Sequence, residues 1–383
     1  MANNNDKKVL NVPALRFPEF TGEWENITIR EACSEFQSGK NIKAEMINDQ
    51  GLYPVYGGNG LRGFTGSYNH DGDYILIGRQ GALCGNVRKV TGKTYVTEHA
   101  IAVCASKEHE TTFLQHLFQK MRLGQYSDQS AQPGLAVNKL LRLNINVPSK
   151  NEQGKIAKIL SLIDERITTQ NKIIEDLKKL KSAIVEMLLC NQSGESFKLG
   201  DVGCYVRGLT YANEDVTENK AATIVIRANN LNYGSHVDKR EVVYVNKTPT
   251  VSQILRKGDI VICMANGSST LVGKNSYYPF NDRQSTIGAF CGIYRTSNPL
   301  VKWLMQSQRY KRQVYQSLQG GNGAIANLNG DDILNMSFPL IEKEKSQSII
   351  FTIEAIEKSL VANKYIHRLY YTQKSYLLKQ MFI

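Results

Sequence analysis

Apolar residues recur at intervals of three and four along residues 156–188. Ile156, Leu160, Ile163, Ile167, Ile174, Leu177, Ile184 and Leu188 hold the spacing, and Gln170 and Lys181 fill its two polar places. The pattern returns 193 residues later in Ile349, Ile353, Ile356, Leu360, Tyr370, Leu377 and Met381, with Asn363, His367 and Lys374 as the polar places. An a/d spacing held over about five heptads predicts a helix with a coiled-coil seam. Two such helices are expected, near residues 152–189 and 342–382. At 1.5 Å per residue each spans roughly 60 Å.

The segments ahead of the two helices also match. Short β-rich runs broken by Gly, Asn and Asp come first, such as "DYILIG" and "TYVT" in the first half and "TIVIRANNL" and "DIVICMA" in the second. An amphipathic helix follows, near 111–121 and 300–318, and then a short strand leading to Pro148 or Pro339. Asp73 aligns with Asp259, Phe113 with Leu300, Pro148 with Pro339 and Lys181 with Lys374, at offsets that rise in order from 186 to 193. A period this long is no solenoid repeat. It predicts two homologous domains, each followed by a similar helix.

Connectivity sets the expected arrangement. The first helix leaves domain one and enters domain two after "CNQSGES", so a second helix pairing with it must run antiparallel. The expected fold class is α+β: two homologous β-rich α/β domains separated by two long antiparallel coiled-coil helices, with pseudo-two-fold symmetry. The boundaries read as an N-terminal segment over 1–20, domain one over 21–148, helix one over 149–190, domain two over 191–339 and helix two over 340–383.

Charge narrows the partner. A net charge of +12 and a pI near 9.2 point to an anionic partner, nucleic acid first. Seven cysteines show no CxxC and read as thiols in a reducing compartment. No apolar run approaches the ~18 residues of a membrane helix, and "MANNNDKKVL" has no signal-peptide core, so a cytoplasmic protein is expected.

"LRFPEFTGEWENITIRE", the domain ends "NINVP" and "NMSFP", and the helix pattern "NEQGKIAKILSLIDERI" resemble the specificity subunit of type I restriction–modification systems. The resemblance covers nearly the whole chain after the first dozen residues. The second junction departs from it, with "KEKSQSII" in place of "NEQGKIAKI". The resemblance implies that each domain is a target recognition domain reading one half of a bipartite asymmetric site in double-stranded DNA. It implies that the helices set the spacing and dock two modification subunits, and that restriction subunits join them. S-adenosylmethionine, ATP and Mg would then sit on the partners, with no cofactor in this chain. A stand-alone DNA-binding regulator of the same architecture is the alternative.

Motifs for chemistry in this chain are missing. Gly58, Gly60 and Gly63 match GxGxxG, but "FTGSYNHDGDY" follows where a dinucleotide loop requires a helix. The glycines are read as tight backbone turns. The adenine-methyltransferase pattern [DNS]-P-P-[YFW] and the Walker A loop do not occur. The six histidines have no HExxH or CxxC company, so no metal site is expected. His99 in "TEHA" could face a base, although a core histidine is the commoner role.

Major-groove readout uses Arg or Lys on guanine and Asn or Gln on adenine. In domain one the loops offer Asn59, Arg62, Arg79, Gln80, Asn86 and Arg88. In domain two they offer Arg227, Asn229, Asn230, Asn266, Ser268, Ser269, Lys274, Gln319 and Asn322. Gln80 and Asn266 fall at matching places in the duplication, which makes their loop the leading candidate.

Overall fold

The computed structural model describes residues 10–127, 134–190, 194–282, 284–318 and 326–383. It forms two compact units, Met1–Lys172 with Lys364–Ile383, and Ile173–Asn363. The division falls inside both long helices rather than at their ends, because each half-helix packs into the core of its own unit.

In unit 1 a four-stranded antiparallel sheet runs in the order Cys33–Ser38, Ala100–Ala105, Asp73–Gly78, Val87–Thr91. "DYILIG" reads as an unbroken apolar run because both its faces are buried. Ile75 and Ile77 join the main core, and Leu76 packs on the other face with Val90, Val96 and Ala102. A second sheet orders Gly60–Thr65, Tyr53–Gly57 and Tyr95–Val96, the last pair parallel. Glu25–Thr28 pairs with Asn144–Val147 and joins the two ends of the domain.

Unit 2 repeats this plan. Its antiparallel sheet orders Gly203–Arg207, Cys291–Thr296, Ile260–Cys263 and Asn275–Tyr277. Ile260 and Ile262 face one core, Val261 and Cys263 another. The second sheet again ends in a parallel pair, Thr223–Ile226 with Ser285–Ile287. Ser196–Lys198 closes on Ser337–Pro339. The amphipathic stretch expected over 300–318 is two helices, Val301–Leu304 and Gln308–Leu318. The Ser307 hydroxyl ends one by donating to Leu304 O at 2.6 Å and starts the next by accepting from Tyr310 N at 3.1 Å.

The two long helices are Lys150–Ile184, continued by a π-helical turn over Val185–Cys190, and Lys343–Gln380. In unit 1 their segments run antiparallel. Lys374 Nζ meets Asp164 at 2.6 Å, and Phe382 packs edge-on to Trp24, whose indole donates to Glu152 at 3.4 Å. In unit 2 Lys181 meets Glu357 at 2.6 Å, and Val185 and Leu189 share a core with Ile349 and Ile353.

Every seam position of the second helix is buried or half-buried, as are nine of the ten in the first. Leu188 is the exception at 38% exposure. The π-turn inserts one extra residue into the repeat, so Val185 and Leu189 turn inward instead. Seam residues also pack against their own domain: Ile156, Leu160, Ile163 and Ile167 join Leu114, Leu117 and Phe118 in one core.

The N-terminal segment is fastened to unit 1. Leu15 N donates to Gln380 O, and Arg16 makes two 2.8 Å bonds to Glu152. Glu152 is 1% exposed, and neighbouring Gln153 is fully buried, bonding Pro148 O, Glu110 N and His109. These contacts explain the Glu-Gln pair of "NEQ" at the first junction. At the second, Lys345 is exposed and among the described residues pairs with Glu342 alone, so "KEKSQSII" builds no buried clamp there. Among the described residues no helix is long and apolar enough to cross a membrane.

Candidate nucleic-acid interface

The GxGxxG glycines lie in a β-hairpin. Gly57 pairs with Gly60 across a two-residue loop, Gly58-Asn59, which places Asn59 at the tip. Gly60 has φ +108, a conformation that favours glycine, and the Arg88 guanidinium lies where its side chain would be. A side chain on Gly58 would come within 2.8 Å of His99 O. The glycines therefore let three turns crowd together, and no helix follows to receive a phosphate.

Those turns carry the reading candidates of unit 1. Arg79 N donates to His99 O at 2.9 Å, and His99 Nδ1 lies 3.0 Å from Gln80 Oε1. Gly78 N donates to Asn86 O at 2.9 Å and tethers the far end of the same loop. Arg62 passes over Gly57 and Arg88 over Gly60. All six predicted residues of this unit thus border one surface, with Asn59, Arg62, Gln80, Asn86 and Arg88 exposed and Arg79 half-exposed. Among the described residues none of the three arginines makes an ion pair, which leaves their charge for an anionic ligand.

Unit 2 sets Arg227, Asn229 and Asn266 around one open cavity of about 640 Å³, with Tyr211 and Phe290 on its wall. Asn229 is exposed. Asn266 Oδ1 accepts from Ser268 N at 3.0 Å, and the Ser268 hydroxyl is spent on Thr270 at 2.8 Å. Ser269 lines a different cavity, of about 400 Å³, beside Tyr233 and Tyr310. Lys274 is half-buried, and its backbone carbonyl accepts from Cys263 N. Asn230 departs from the expectation: it is 2% exposed, its Oδ1 accepts from Arg227 N, and its amide donates to Asp238 O and Glu241 O. It braces the loop that presents Asn229 and has no free edge for a base. Gln319 and Asn322 lie outside the described residues.

The two units build these surfaces from matching parts. The parallel strand pair ends at Tyr56–Val96 in one and Ile226–Ile287 in the other. Asn59 and Asn229 each lie three residues past the first of those ends, and His99 and Phe290 three past the second. Thr97 N donates to Tyr56 O as Gly288 N does to Ile226 O, and Ala100 N to Thr97 O as Cys291 N to Gly288 O. Gln80 bridges antiparallel to Gly134, as Asn266 does to Ala326. The sequence reading missed Phe290 and Tyr211. Phe290 is 68% exposed, and the one signal for it was its place in the turn that answers "TEHA".

His70 sits 3.2 Å from Glu35, and burial pushes the Cys33 and Cys291 thiols up to about 12. Cys204 is exposed, unlike the other described thiols, which are buried or half-buried. Among the described residues no three side chains converge as a metal site.

Residues 21–179 match the family model of the type I restriction modification DNA specificity domain. The chain is 41% identical over 173 residues to the EcoprrI type I restriction enzyme specificity subunit of Escherichia coli, a stretch covering 44% of this chain and 42% of that one. The alignment thus spans about two fifths of that relative's length. A putative type I restriction enzyme specificity subunit of Haemophilus influenzae is 22% identical over 371 residues, covering 88% of this chain and 89% of the relative. The crystal structure of the type I restriction–modification S subunit from M. genitalium superposes with a TM-score of 0.66 at 17% identity, over 97% of this chain and 99% of that one, a likeness of fold. Sequence and fold agree: residues 21–179 match the type I restriction modification DNA specificity domain, and the chain as a whole has a fold like that of the M. genitalium S subunit.

Proposed function

We propose that this chain is the DNA-reading, non-catalytic subunit of a type I restriction–modification complex. Each unit reads one half of a split, asymmetric site in double-stranded DNA. The observation that carries this reading is the pair of matching surfaces, Asn59 and Gln80 in one unit and Asn229 and Asn266 in the other, each beside arginine that makes no ion pair among the described residues. Amide side chains beside cationic groups suit base edges flanked by phosphates.

The long helices dock two modification subunits, which supply S-adenosylmethionine chemistry, and restriction subunits add ATP- and Mg-dependent cleavage. Tyr365, Leu369 and Tyr376 are 62%, 48% and 58% exposed on the second helix, an apolar face that favours docking over a stand-alone regulator. The test is co-purification with a co-expressed modification subunit, for the native chain and for Tyr365→Arg with Tyr376→Arg. The proposal expects a complex that the double variant loses, and DNA affinity that falls steeply with salt. A chain that binds DNA specifically yet never retains the subunit would support the regulator instead.

A further inference from the structure

The two reading surfaces agree at two of three places and differ at the third. An asparagine stands at 59 and 229, and an amide side chain at 80 and 266. The turn after the parallel strand carries His99 in unit 1 and Phe290 in unit 2. His99 is polar, half-exposed and engaged with Gln80 and Glu98. Phe290 offers only an apolar ring, 68% exposed, on the wall of the cavity that Asn229 and Asn266 share. Tyr211 lies on the same wall, so the cavity beside the two asparagines has an aromatic lining.

In the major groove one apolar group is presented by an unmodified base, the C5-methyl of thymine. In an A·T pair that methyl shares the major-groove edge with adenine N6 and N7, which an asparagine amide reads in bidentate fashion. Asn229 makes no side-chain hydrogen bond among the described residues, so its amide is available to pair in this way. Arg227 on the same wall is placed for the adjoining phosphate or a neighbouring guanine.

We propose that Phe290 is a specificity-determining residue, and that unit 2 reads an A·T pair with the Phe290 ring against the thymine methyl and the Asn229 amide on the adenine. This rests on the DNA-reading function proposed above. The substitution between 99 and 290 then contributes to the asymmetry of the whole site: one unit presents a hydrogen-bonding group where the other presents an apolar one.

The test begins with selection from a random duplex library using the full chain with its modification subunit, for the native protein, Phe290→Ala and Phe290→His. The native chain should enrich a split motif with a T·A pair that both variants relax, in one half only. The selected duplex is then remade with deoxyuridine at that thymine, which removes the methyl and nothing else. Native binding should weaken about fourfold, the value of one buried methyl, and Phe290→Ala should no longer distinguish the two duplexes. A motif indifferent to Phe290, a G·C pair at the relaxed position, or equal native binding to thymine and uracil would overturn this proposal alone. Failure to enrich any motif would overturn the DNA-reading function and this proposal with it.

Discussion

Arg16 and Glu152 form a clamp whose removal has a calculable cost. The Glu152 carboxylate is 1% exposed at the start of the first long helix, and its charge is met by two 2.8 Å bonds from Arg16 and a longer one from the Trp24 indole. Arg16→Ala leaves that carboxylate buried without a counter-ion. Breaking a buried pair in this way costs about 3–5 kcal/mol. Arg16 keeps 16% exposure, so water can reach the vacated space, and the lower end, about 3 kcal/mol, applies. A unit of this size loses about 2–4 °C of Tm per kcal/mol, which gives a fall of about 6–12 °C. Arg16→Met with Glu152→Leu should recover most of it, since no lone charge remains. Calorimetry of the full chain reads the magnitude, and hydrogen exchange should localise the loosening to the 10–24 segment and the start of the helix. A shift below about 1 °C for Arg16→Ala, or an equal loss in the double variant, would refute the clamp.

Adjacent asparagines should behave oppositely. Asn230→Ala strands Arg227 N, Asp238 O and Glu241 O and should cost about 2–3 kcal/mol in denaturant unfolding. Asn229→Ala should leave stability within about 0.5 kcal/mol and weaken DNA binding in a gel-shift titration. His116 is fully buried, its ring nitrogens find no hydrogen-bond partner among the described residues, and burial followed by the nearby Lys374 ammonium pushes it down from 6.5 to about 4, with Asp164 opposing. As pH falls the unfolded chain takes up this proton first, so the contribution is intact above 6.5 and is lost progressively toward about 4. Denaturation from about pH 7 to pH 4 should show stability falling more steeply for the native chain than for His116→Phe, and parallel slopes would contradict it.

Much of the fold was legible because the duplication let each half check the other. The a/d seam is visible because burial on one helical face leaves a 3.5-residue period whatever covers that face. Leu188 escaped because a π-turn changes the period by one residue, and no composition signal marked it. The helices' division between two cores was hidden as well, since a seam reports that a face is buried and not against what. At the reading surfaces the structure puts Asn59 in a hairpin turn, but Gln80 in a β-bridge and Asn266 in a short strand. Asn230 was misjudged because an asparagine bonded to its own loop has the same letter as an exposed one. Phe290 was passed over because apolar residues in sequence read as core by default.

The most direct measurement is an adenine methylation map of the host genome with the gene intact, deleted, or carrying Arg79→Ala with Gln80→Ala. One split motif should lose methylation on both strands when the gene is deleted. The double variant should relax or lose recognition of one half of that motif and keep the other. With the modification subunit expressed, identical maps for the intact and deleted gene would contradict the central claim that this chain chooses the methylated sequence.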